Sequence, residues 1–146
     1  MRTPLVRTAL GVLAFLGLLV AGAPARAETV TYKAALDGKD EVPPNDSKGT
    51  GTVDAKYDTA TLKLTWVVTY AGLTGPATAA HFHGPAKPGE NAGPVITLSA
   101  PLTSPSKGEE TLTKEQAADL ANGMWYLNVH TAAHPPGEIR GQLMKK

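Results

Sequence analysis

The sequence predicts an all-β fold, a Greek-key-like sandwich or barrel with one short α-helix in the C-terminal third. Three observations predict it. Thr61–Tyr70 alternates apolar and polar residues with the period of a half-buried strand. Short runs of this kind are separated throughout by turn clusters in a chain with 15 glycines and 12 prolines. Only one segment, around 113–124, carries the spacing and end signals of a helix.

The N-terminus reads as a removable export signal. Arg2 and Arg7 precede an apolar run from about Ala9 to Ala23, and Ala25-Arg26-Ala27 follows as a small-x-small cleavage site. Residues 1–27 are therefore expected to be a signal peptide, and 28–146 a single domain. The run is shorter than the roughly 20 residues of a spanning helix, so no membrane span is expected after cleavage. Export places the protein in the periplasm or outside the cell. Removing Arg2, Arg7 and Arg26 lowers Lys+Arg from 14 to 11 against 13 Asp+Glu, so the net charge of +1 becomes −2. No basic stripe remains, and no nucleic-acid partner is expected. The absence of cysteine excludes disulfides, thiolate chemistry, Cys-ligated zinc and blue-copper sites.

Glu28–Leu36 reads as a first strand with Val30, Tyr32 and Ala34 on one face. Asp37–Asp46 follows as a polar loop; its carboxylates lack EF-hand spacing and read as a solvated turn. Gly49–Lys56 is a short strand with little to bury. Tyr57–Ala60 turns the chain into Thr61–Tyr70, a hairpin with Trp66 in the core. After Gly72–Pro76, Ala77–His83 is a strand with Ala79, His81 and His83 on one face and Thr78, Ala80 and Phe82 on the other. Gly84–Gly93 is a loop, Pro94–Leu98 a short apolar strand, and Ala100–Glu110 polar and turn-like. Thr113 and Gln116 form a capping box for a helix with Ala117, Leu120, Ala121 and Met124 as its stripe and Asn122-Gly123 as its stop. Met124–His130 is a strand with Trp125, Leu127 and Val129 opposite Tyr126, Asn128 and His130. Glu138–Leu143 is the last, with Glu138 and Arg140 expected as an exposed cross-strand ion pair.

All four histidines fall in two segments: His81 and His83, and His130 and His134. Imidazole is the commonest side-chain ligand of copper and zinc, so the four are candidate metal ligands. Asn128 and Glu138 are candidates to fix an imidazole tautomer. The His130–His134 spacing resembles a helical zinc pair, but the prolines that follow make it a strand end and turn. Copper is preferred over zinc because imidazole sites favour it intrinsically. Nothing in the sequence marks a hydrolase or phosphate-binding motif.

Glu41-Val42-Pro43-Pro44, Leu73-Thr74-Gly75, Ala79–Ala86, Pro88–Asn91 and Tyr126–Thr131 with Gly137–Leu143 resemble the CHRD domain. That domain is named from its repeats in chordin and occurs as a single secreted module in bacteria. The resemblance implies an extracytoplasmic β-sandwich. It implies copper binding through histidine in some bacterial members, with His81, His83 and His130 in the family's fixed positions and His134 at a variable one. Three functions follow as expectations. The first is a metal-binding module for copper binding, storage or delivery. The second is a metal-independent module that binds an extracytoplasmic protein. The third is a copper redox enzyme, which the sequence favours least.

Overall fold

The computed structural model describes residues 26–146; the expected signal peptide lies almost wholly outside them. Nine strands and one helix follow in order: β1 Thr29–Asp37, β2 Thr50–Asp58, β3 Lys63–Ala71, β4 Ala77–His83, β5 Pro94–Thr97, β6 Ser106–Thr111, α1 Lys114–Ala121, β7 Tyr126–Thr131, β8 Ile139–Gln142 and β9 Met144–Lys145. Every strand pairing is antiparallel, and the sheet runs β5-β4-β7-β8-β1-β2-β3-β6, with β9 also on β1. The sheet curls into a nearly closed barrel. Trp66 on β3 and Phe82 on β4 meet edge to face across the interior, with ring centroids 5.1 Å apart.

The period-2 pattern decides which face is inside. Val30, Tyr32, Ala34 and Leu36 of β1, Leu64, Trp66 and Val68 of β3, Ala80 and Phe82 of β4, and Leu127 and Val129 of β7 are all buried in one core. Each Val, Leu or Phe among them contributes about 1.5–3 kcal/mol on burial. The same rule sends His81, His83, Tyr126, Asn128 and His130 to the outer face. The register aligns them in rows, with His81 opposite Asn128 and Asn128 opposite Arg140.

The structure corrects several expectations. β2 runs on to Asp58 and buries Val53, Ala55 and Tyr57. The turn comes later because the Asp58 carboxylate accepts from the Ala60 and Thr61 amides. Leu62 then takes a left-handed φ of 60°, and β3 starts at Lys63. The segment expected as a turn up to Glu110 contains β6, a strand along one edge of the sheet. It has no alternation to read because only Ser106 is buried. Its charged side chains suit an edge that must not recruit another chain. In α1 the capping box and the glycine stop are present, Gly123 at φ 69°, but only Leu120 is buried and Ala121 faces solvent.

β6 lies flat on Trp66 because Gly108 has no side chain: a Cβ there would sit 2.5 Å from Trp66 Cζ2. Gly108→Ala is expected to cost about 1–3 kcal/mol by overpacking. Urea denaturation should show a lower midpoint with an unchanged slope.

Candidate metal centre

His81, His83 and His130 converge on the outer face of β4 and β7. Each offers a ring nitrogen, and these nitrogens lie within 4.8 Å of one another. His81 and His83 are neighbours because two residues is one strand repeat. His130 joins them because β7 pairs with β4 in the register that sets Ala79 opposite His130. His81 Nδ1 is 3.0 Å from His130 Nε2, with the rings nearly perpendicular at 72°.

The surroundings fix the His130 tautomer. His130 Nδ1 is 2.8 Å from the Pro135 carbonyl. A carbonyl only accepts, so Nδ1 holds the proton and Nε2 presents its lone pair to His81. His83 Nδ1 is 2.9 Å from the Ala92 carbonyl, and its Nε2 is 3.0 Å from Asn128 Oδ1. Asn128 Nδ2 donates to the Pro136 carbonyl, which orients the amide. Burial lowers the pKa of His81, and the neighbouring His130 and His83 lower it further. Burial also lowers that of His83, outweighing the Ala92 and Asn128 oxygens that oppose it. Both rings are thus biased to the neutral form, the form that ligates metal. A neutral His83 that donates from Nδ1 to Ala92 leaves its Nε2 lone pair facing the Asn128 oxygen.

His83 also stacks on Tyr126, with centroids 4.8 Å apart and planes 1° apart. The Arg140 guanidinium covers the other face of Tyr126, 3.5 Å from its centroid. Sequence reasoning missed this three-layer stack, although alternation already put Tyr126 on the histidine face.

His134 lies outside the three-imidazole group. Its backbone shapes the turn instead: its amide donates to Thr131 and its carbonyl accepts from Gly137. Asn128 does meet an imidazole. Glu138 meets none, and it is no exposed partner of Arg140. Both are buried, at 0 % and 2 % exposure. Arg140 donates to Asn91 and the Glu90 carbonyl, while Glu138 accepts from Ser47, Thr74 and Thr131. Both are buried because loops cover this face of β8, and no periodicity in β8 itself reports a covering loop. Glu41 belongs to the same cover. It is only 6 % exposed, in a loop expected to be solvated. Burial pushes its carboxyl up to about 7, against the opposing pull of Arg140, Asn128 and the Val42 amide.

Fold and site together define a β-barrel module that carries an imidazole cluster outside its core, under two loops. The chain belongs to the CHRD domain family, whose model matches residues 32–143. This is a domain of extracellular type. No curated protein and no solved structure matches the chain. No helix among the described residues is long and apolar enough to cross a membrane.

Proposed function

We propose that this protein is an exported metal-binding module that holds copper through His81, His83 and His130, for binding, storage or delivery in the periplasm or outside the cell. The observation that carries the reading is the convergence of three imidazoles with nitrogens within 4.8 Å. Two details support it. The His130 tautomer directs Nε2 at the cluster, the carbonyl–histidine arrangement common behind metal ligands. His83 Nδ1 lies 2.9 Å from the Ala92 carbonyl, the same arrangement behind a second ring of the cluster. Copper is preferred over zinc because imidazole sites favour it intrinsically.

A second reading has its own support. The imidazoles already bridge to the Ala92 and Pro135 carbonyls, so they also serve to hold loops down in a metal-independent interaction domain. Calorimetric titration with copper(II), followed by EPR, separates the two. The metal reading expects one equivalent bound with sub-micromolar Kd and nitrogen hyperfine structure from the imidazoles. Weak, non-stoichiometric binding of both copper and zinc would leave the interaction domain standing.

A further inference from the structure

A cavity of about 250 Å³ is bordered by Lys39, Glu41, Val42, Pro88, Arg140 and Gln142 among others. Arg140 is the unusual member. It is 98 % buried, yet its recorded hydrogen bonds go to neutral oxygens, Asn91 Oδ1 and the Glu90 carbonyl. The ion pairs among the described residues are Lys33–Asp54 and Lys63–Glu109, and neither involves it. Buried charges are ordinarily paired, because an unpaired one costs several kcal/mol to desolvate. The Tyr126 ring face offsets part of that cost. Glu41 lines the same cavity and feels the Arg140 charge, but burial pushes its carboxyl up to about 7, so it is partly protonated near neutral pH. The guanidinium therefore lacks a full counter-charge. Lys39 adds a second, exposed cation at the mouth.

We propose that this cavity binds a small organic carboxylate, anchored by Arg140. Both Nη atoms already donate once, to Asn91 and the Glu90 carbonyl, and a planar carboxylate matches the remaining Nε–H and the Nη–H beside it. Val42 and Pro88 give a short carbon chain an apolar wall. The volume is below the range of drug-sized pockets, which limits the ligand to a few carbon atoms. Asp40 also borders the mouth and opposes a second negative charge, so monocarboxylates bind more tightly than dicarboxylates. The site uses none of the imidazoles, although Arg140 and His83 both pack on the Tyr126 ring.

The test is an NMR titration of the ¹⁵N-labelled protein with propionate, succinate and inorganic phosphate at constant ionic strength. The expected result is a saturable shift of the Arg140 Nε–H and of the Lys39–Val42 and Gly89 amides with propionate, and weaker binding of succinate and phosphate. Lys39 is exposed, so Lys39→Glu should fold normally; it should weaken propionate binding about tenfold or more, since it turns an attractive charge into a repulsive one. Shifts that do not saturate, saturable shifts unchanged in Lys39→Glu, or tighter binding of phosphate would each overturn the proposal. An equal response to all three anions would mean an adventitious ion only, and would overturn it too.

Discussion

Replacing Glu138 with alanine is expected to destabilise the protein by about 3–5 kcal/mol, from several donors losing a charged acceptor at about 1–3 kcal/mol each. The carboxylate has no exposure and accepts from Ser47 Oγ at 2.6 Å, from the Thr74 amide and hydroxyl at 2.8 and 2.7 Å, and from Thr131 Oγ1 at 2.5 Å. These donors come from the loop before β2, the loop before β4 and the end of β7. One side chain thus ties three connections at one end of the barrel, and alanine would remove the acceptor that these donors share. The expected loss corresponds to roughly 10 °C or more in Tm.

The same cluster sets a pH dependence. Burial disfavours the charge, but the hydroxyls of Ser47, Thr131 and Thr74 and the Thr74 amide outweigh it and hold the carboxyl at about 2, against 4.5 in an open chain. A carboxyl depressed on folding stabilises the folded state above the unfolded pKa, and the contribution is lost as pH falls toward the folded one. The protein should lose about 3 kcal/mol from this group between about pH 5 and pH 2. Glu138→Gln keeps the shape but cannot ionise. Urea midpoints measured across that range should slope less in Glu138→Gln than in the wild type. Parallel slopes would mean that Glu138 is not the group responsible.

Glu138 also shows where sequence reasoning reached and where it stopped. Alternation sorted the two faces of β1, β3, β4 and β7 as they stand in the fold, because each is buried on one face against a single interior; for β4 it left open which of the two is inside. It placed His81, His83 and His130 on shared faces for the same reason. It failed on β6, whose only buried residue is Ser106, and on Glu138, Arg140 and Glu41, whose burial depends on loops folding over the outer face. Periodicity reports one covering surface per strand. A second cover, made of Gly- and Pro-rich loop, leaves no period behind. What remains in the sequence is residue type, a carboxylate and a guanidinium beside Gly137, and that pattern reads equally well as a surface ion pair.

His130 and His134 give the sharpest test of the metal centre, since the sequence nominates both and the geometry distinguishes them. His130→Ala removes the imidazole whose Nε2 lies 3.0 Å from His81 and whose Nδ1 is held by Pro135. Losing one of three nitrogen ligands should weaken copper(II) binding by 100-fold or more, at least the loss typical of removing a group that merely orients a ligand. His134→Ala removes a ring outside the cluster and keeps the backbone bonds to Thr131 and Gly137, so its copper Kd should stay within about threefold of wild type. Calorimetry on both variants, with circular dichroism to confirm that each folds, checks the pair. A large loss in both would place His134 in the coordination sphere, which requires the 131–137 turn to close on the metal. No loss in either would remove His130 as a ligand and leave His81 and His83 too few to hold the ion. His130→Ala also frees the Pro135 carbonyl of the turn, so the EPR spectrum completes the test: a drop in the number of coordinated imidazole nitrogens marks loss of a ligand, which damage to the turn alone would not produce.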